Sequence, residues 1–125
     1  MEKPRIKIIL GDRVDLVPFS KDFISNKYLN WMNDPDIIKF IDKGRGKTSI
    51  NDLSLFAESM IESNFDYFFA IIHKASNSHI GNVRLGPIDF SSMKSRFGIL
   101  IGDKNFHGFG LATEALELIK NFCFD

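Results

Sequence analysis

The run Tyr67-Phe68-Phe69-Ala70-Ile71-Ile72 is the strongest constraint in the chain. Apolar side chains at successive rather than alternate positions mark a strand buried within a fold. The run is far too short to span a bilayer. His79–Leu85 follows after a short polar turn, Ala75–Ser78, so the two segments read as a hairpin. The rest of the chain suits such a core. Hydrophobic residues make up 44% and charged residues 26%, a folded rather than a disordered balance. At 125 residues the chain is one domain, residues 1–125. Sixteen basic and sixteen acidic side chains cancel, which argues against a nucleic-acid or anionic-membrane binder. A single cysteine, Cys123, excludes an internal disulfide and a cysteine-based zinc site. Three scattered histidines without paired spacing argue against any metal site. Residues 1–10 lack the apolar run of a signal peptide, so the cytoplasm is the expected location.

Periodicity orders the remaining elements. Residues 5–10 and 13–18 read as short strands broken by Gly11-Asp12. Ser20 is placed to cap a helix over 21–32, with Phe23, Ile24, Tyr28, Trp31 and Met32 on one face. Asp34-Pro35 opens a short helix to about Ile41, as an N-cap followed by proline. Ser49 begins another helix, with Leu53, Phe56, Ala57, Met60 and Ile61 at helical spacing. After the hairpin, Gly86-Pro87 breaks the strand and Arg96–Ile101 is the next one. Gly108–Phe124 is a helix carrying the stripe Leu111, Ala115, Leu118 and Phe122. Helices before and after an antiparallel meander give an α/β domain (α+β in some schemes). Its central sheet is mixed, mostly antiparallel, with helices on both faces.

Two glycine clusters bear on chemistry. Gly46-Lys47-Thr48 resembles the tail of a phosphate-binding Walker loop. That loop needs glycine five positions earlier, where Ile41 stands, so the segment is read as a flexible basic loop. His107-Gly108-Phe109-Gly110-Leu111-Ala112-Thr113 lies between a strand and a long helix. A helix start leaves N–H groups unpaired and adds positive potential, and glycines let an anion reach that backbone. A diphosphate is the natural guest. Thr113 stands where a dinucleotide fingerprint has its third glycine. By spacing alone, a plain helix start and an anion site are both open.

The words around the second cluster resemble a known family. Phe106-His107-Gly108-Phe109-Gly110-Leu111-Ala112-Thr113-Glu114-Ala115 is similar to the acetyl-CoA loop of the GNAT N-acetyltransferases. The branch is that of the ribosomal-protein and small-molecule acetyltransferases. His107 stands at the family's Arg or Gln position, and Gly110 and Ala112 at its last two. Upstream, Tyr28–Pro35 resembles the branch's Trp–Asn-Asp helix junction, Ile80-Gly81-Asn82-Val83 its third strand and Phe97–Ile101 its fourth. The resemblance implies acetyl transfer from acetyl-CoA to a primary amine, without a covalent enzyme intermediate. It implies that His107, Gly108, Phe109, Gly110, Leu111, Ala112 and Thr113 hold the pyrophosphate. It further implies that Ile99, Leu100 and Ile101 pair with the pantetheine arm. Acceptors are a small amine such as an amino sugar or nucleotide-linked amino sugar first, and a protein N-terminus second. A non-catalytic CoA-binding or partner-binding domain is the alternative.

The sequence also departs from that pattern. Many relatives carry Glu at the second position of the fourth strand, where this chain has Arg96. The strand, tyrosine-bearing helix and closing strands that follow in the branch have no counterpart in these 125 residues. A truncated domain is therefore expected, with the edge of strand 96–101 covered by a second copy or by a missing C-terminal segment. Asp89 is the remaining acidic candidate for a base or amine anchor; a turn aspartate is the other reading. Tyr28, Trp31 and Phe40 could line an acceptor pocket or simply pack a helix on the sheet. Lys43, Arg45 and Lys47 could meet an acidic acceptor such as a nucleotide-sugar or form a solvated charged loop, and His73 and His79 read as exposed residues flanking the hairpin turn.

Overall fold

The structure is a computed structural model describing residues 7–38, 47–89, 91–92 and 95–124, with side chains to Phe122. Four strands form one sheet in the order β1 (Val14–Pro18), β2 (Tyr67–His73), β3 (Ser78–Leu85) and β4 (Phe97–Ile101). Every pairing among these strands is antiparallel. Residues 9 and 16 make an isolated bridge, so among the described residues of the expected first strand only Ile9 pairs with β1.

The apolar run of β2 explains the layers. Its side chains alternate between two cores. Tyr67, Phe69 and Ile71 meet Leu111, Ala115 and Ile119 of α4 (Leu111–Phe124). Phe68 and Ala70 meet Tyr28, Trp31 and Met32 of α1 (Asn26–Asn33) and Leu53, Ala57 and Met60 of α3 (Ile50–Glu62). Helices thus cover both faces, and the run is apolar because neither face of β2 meets water from Tyr67 to Ile71.

The helix expected over 21–32 is two elements. Ser20 caps only a 3-10 turn, Lys21–Phe23, while the Ser25 side chain accepts from the Tyr28 N–H and starts α1. Two serines five residues apart both offer a cap, and the second stops the first turn from propagating. Ser49 and Asp52 close a reciprocal capping box at the start of α3. The last helix begins at Leu111 rather than Gly108, because Gly108 and Gly110 have φ of 84° and 75°. A helix cannot include residues in the left-handed region.

The Trp31-Met32-Asn33-Asp34 junction positions the strand that carries the site. Trp31 packs flat on Gly102, just past β4, where any side chain would collide with the indole. The Asn33 amide donates to the Thr48 carbonyl at 2.9 Å and accepts from its N–H at 2.7 Å. Asp34 accepts from the Asp36 N–H, opening α2 (Pro35–Ile38), and binds Lys104 at 2.9 Å. Lys104 also reaches Asp36 at 3.2 Å, so the loop after β4 is latched to α2. The Lys104 ammonium, with its backbone partner, holds the Asp34 carboxyl below the usual aspartate range. Gly102→Ala should lower the unfolding free energy by about 1–3 kcal/mol, the cost of overpacking a filled site. The same change in a Trp31→Leu background should cost less than half as much in denaturant titrations.

Candidate functional site

β4 is hydrogen-bonded to a strand on one side only among the described residues. The Gly86 N–H donates to the Arg96 carbonyl and the Gly102 N–H to the Ile80 carbonyl. Those bonded pairs, with the register Asn82↔Leu100 and Arg84↔Gly98, fix the alternation along the ladder. Residues 96, 98, 100 and 102 turn their backbone groups toward β3. Phe97, Ile99 and Ile101 turn theirs to the open edge. Leu100, expected among the residues whose backbone meets the pantetheine, therefore directs its own N–H and C=O to β3 and offers only its side chain.

That open edge borders a cleft of about 450 Å³, lined by Ile99, Leu100, Ile101, Phe106, His107, Gly108, Gly110, Leu111 and Ala112, with Asp36 and Ile37 opposite. Of the residues singled out in the glycine loop, Phe109 and Thr113 are not in the lining. No described group accepts from the N–H groups of residues 108–113. Space above Gly108 is open for 4 Å, and the nearest atom to a side chain at Gly110 would be Arg13 Nη2 at 3.6 Å. Unpaired donors, a helix start and an open approach together fit a diphosphate. The His107 N–H is different: it donates to the Lys104 carbonyl. The His107 ring donates through Nε2 to the Ile101 carbonyl at 2.5 Å, so its Nε2 carries the proton. His107 thus fixes the loop to the strand end.

A second pair holds the loop from below, and sequence reasoning missed it. Arg13 donates to the Phe109 carbonyl at 2.6 Å, to the Gly110 carbonyl at 3.3 Å, and to Glu114 through Nε at 2.9 Å. Glu114 also accepts from the backbone N–H groups of Arg13 and Val14. Loop carbonyls point down to Arg13, which leaves the loop N–H groups to face the cleft. Burial works to raise the Glu114 carboxyl, but the Val14 and Arg13 N–H groups and the Arg13 guanidinium outweigh it and hold it below the ordinary glutamate value.

On the other face of β4 lies a cleft of about 620 Å³. Ile99 and Leu100 line both clefts, so the two meet at β4. Tyr28, Met32, Leu53, Phe56 and Phe68 form its apolar wall; Asn82, Arg84 and Arg96 are its polar groups. Tyr28 lines this cleft, whereas Trp31 is spent on Gly102 and the core. Phe40 lies outside the described residues. Asp89 is exposed and lines neither cleft. Its Oδ1 accepts from the Ser91 hydroxyl at 2.7 Å and the N–H groups of Ser91 and Ser92, which hold it below the usual aspartate range. That is the geometry of a turn.

Neither histidine of the hairpin is the exposed residue expected from the sequence. Both are partly buried. His73 stacks near Phe106, with ring centroids 4.7 Å apart. His79 sits among Phe19, Phe23, Tyr28 and Trp31, with Nε2 2.8 Å from Asn82 Oδ1. Burial lowers its pKa from the ordinary histidine value, so it is neutral near pH 7. Among the described residues no three His, Cys, Asp or Glu side chains are placed to hold a metal, and no helix is long and apolar enough to cross a membrane.

Glu114→Gln should cost about 1–3 kcal/mol of stability at pH 7, through weakened charge-assisted bonds. A carboxyl depressed in the fold stabilises above its unfolded pKa and stops doing so as pH falls through the folded one. The difference between parent and variant should therefore be full at pH 6 to 7 and narrow steadily as pH falls below the ordinary glutamate range in paired denaturation curves.

Comparison with known proteins agrees with this geometry. The acetyltransferase (GNAT) domain family model matches residues 13–125. No curated protein sequence matches the chain significantly. Among solved structures, an acetyltransferase (GNAT family) from Bacillus anthracis superposes with a TM-score of 0.77 at 18% identity, over 94% of this chain and 66% of its own. A spermidine N-acetyltransferase from Vibrio cholerae, in complex with CoA and spermine, gives 0.74 at 20% identity, over 90% of this chain and 64% of its own. The ribosomal L7/L12 alpha-N-protein acetyltransferase, in complex with coenzyme A, gives 0.74 at 13%, over 93% of this chain and 67% of its own. At such identities the likeness is one of fold, and the chain spans about two thirds of the length of each. The match of the family model over 113 of the 125 residues, on a fold with the glycine loop and the open β4 edge in one cleft, makes this chain a member of the GNAT acetyltransferase domain family.

Proposed function

We propose that the chain is an acetyl-CoA-dependent N-acetyltransferase acting on a primary amine, of a small molecule such as an amino sugar first and of a protein N-terminus second. One observation carries the reading: unpaired N–H groups over residues 108–113 and the outward backbone of Ile99 and Ile101 line one cleft, which meets a second at β4. The N–H groups of Gly108–Thr113 hold the pyrophosphate at the start of α4. Ile99, with the N–H of Ile101, pairs with the amides of the pantetheine arm as an added strand would. The Ile101 carbonyl is already taken by His107. Acetyl-CoA supplies an activated thioester acyl group. An outward N–H of β4 polarises its carbonyl and favours charge developing on the oxygen. Tyr28 and the apolar wall around it position the acceptor from the opposite face of β4.

The acceptor must lose a proton before it attacks, because a simple ammonium has a pKa of roughly 10. Asp89, the base candidate of the sequence, is held ionised in its turn by Ser91 and Ser92 and lines neither cleft, so this reading gives it no contact with the amine. The open edge of β4 is also a template for association. We therefore infer that a second copy, or a segment following residue 125, covers it in the active form, in the cytoplasm.

Gly110→Asp should abolish CoA binding in calorimetry, since it sets a side chain and a negative charge against the pyrophosphate. Unchanged affinity would remove the cofactor site from residues 107–113. In sedimentation velocity, a sharp monomer that acetylates small amines robustly at the same concentration would overturn the inference about the β4 edge.

A further inference from the structure

The second cleft is floored by a glycine between two arginines. Arg84 lies opposite Gly98 in the β3–β4 register, and Arg96 is two residues from Gly98 on the same face of the sheet. A side chain on Gly98 would meet nothing within 4 Å, so the space above it is open. Among the described residues no acidic side chain lines this cleft. Asp66, behind it, accepts from Arg84 Nε and Nη2 at 3.2 and 3.1 Å and so balances one of the two charges. The Arg96 guanidinium has no hydrogen-bond or ion-pair partner among the described residues, and its carbonyl alone is used in the ladder.

A wall with an unbalanced cation is a poor place for a lone ammonium. It suits a molecule that brings its own anion. We propose that this cleft selects an acceptor amine that also carries an oxyanion, a carboxylate or a phosphate, bound by Arg96 over Gly98, and that it rejects polyamines. This rests on the acetyltransferase reading only in calling the ligand an acceptor. The guanidinium fork matches both oxyanions in a bidentate way, and Arg84, held by Asp66 and lying 6.0 Å from the Phe56 ring, borders the same space. The apolar wall of Met32, Leu53, Phe56 and Phe68 takes the carbon skeleton between the two charged ends. The amine end then points along Leu100 toward β4, where the two clefts meet.

The test is ligand-observed NMR titration of the chain, with and without CoA, using four probes: 4-aminobutyrate, 2-aminoethyl phosphate, ethanolamine and spermidine. At least one anionic amine should bind roughly tenfold more tightly than ethanolamine, the worth of one charge-assisted contact, and spermidine should bind most weakly. The two anionic probes tell carboxylate from phosphate. Arg96→Gln should remove that preference, and Arg96→Glu should reverse it toward spermidine. Gly98→Leu, which fills the floor, should remove binding of the anionic probes, with thermal unfolding reporting whether each variant is folded. Spermidine binding as tightly as the anionic amines, a preference that survives Arg96→Gln in a folded variant, or no binding of either anionic probe would each overturn the proposal. CoA titration of the same chains separates the two readings. Absent CoA binding with the anion preference intact defeats the transferase alone; CoA binding with no preference defeats this inference alone.

Discussion

The one-sided pairing of β4 sets the geometry of everything around it. Because even-numbered residues spend their backbone on β3, Phe97, Ile99 and Ile101 turn theirs outward. The same alternation sends side chains of Ile99 and Ile101 toward α4, and that of Leu100 toward α1 and α3. One strand thereby presents backbone donors to one cleft while its faces contribute to the floors of two. A shift of one residue in the β3–β4 register would exchange the outward and inward groups along the whole strand. The devices at its end resist such a shift: Trp31 on Gly102, the Lys104 latch to Asp34 and Asp36, and the His107 ring on the Ile101 carbonyl.

The glycine loop owes its orientation to the opposite corner of the sheet. Positive φ at Gly108 and Gly110 turns N–H groups one way and carbonyls the other. Carbonyls left in that position need donors, and Arg13 supplies them while paired with Glu114. The loop is thus fixed by the start of β1 and the first turn of α4 together. An acidic residue in that first turn also suits the helix dipole. It sits below the loop, facing β1, so it does not oppose an anion above it.

Much of the architecture was legible in local pattern. β2 shows as an unbroken apolar run, β3 follows a short polar turn, and α3 carries both a capping serine and a helical stripe. The junction of α1 was not legible, because Ser20 and Ser25 are equally good caps and both are used, the first for a 3-10 turn and the second for the helix. The Arg13–Glu114 pair was invisible because its members lie 101 residues apart and each reads alone as a surface charge. His79 looked like a turn residue. Its burial depends on α1 folding over the hairpin, which brings Tyr28 and Trp31 to the ring. The residues of the glycine loop were legible from their words, whereas their hydrogen-bonding directions emerged only from φ angles and from partners elsewhere in the chain.

In the proposed reading, Arg96 changes the acid–base problem that an amine acceptor poses. A carboxylate near the amine would attract the ammonium, but it would also raise the pKa of that group and oppose its deprotonation. A unit charge about 6 Å away near a protein surface is worth roughly 1–3 kcal/mol, or about one to two pKa units. A cation in the same place acts in reverse: it weakens capture of the ammonium and eases loss of its proton. Capture must then come from a different part of the molecule. In the acceptor proposed above, an oxyanion on Arg96 would supply it and would neutralise the wall as it binds, so the amine would meet neither a carboxylate that holds its proton nor a bare cation that repels it. In such a site binding and deprotonation are assigned to opposite ends of the acceptor. The length of the skeleton between amine and anion, measured against the apolar wall from Met32 to Phe68, then becomes the specificity determinant.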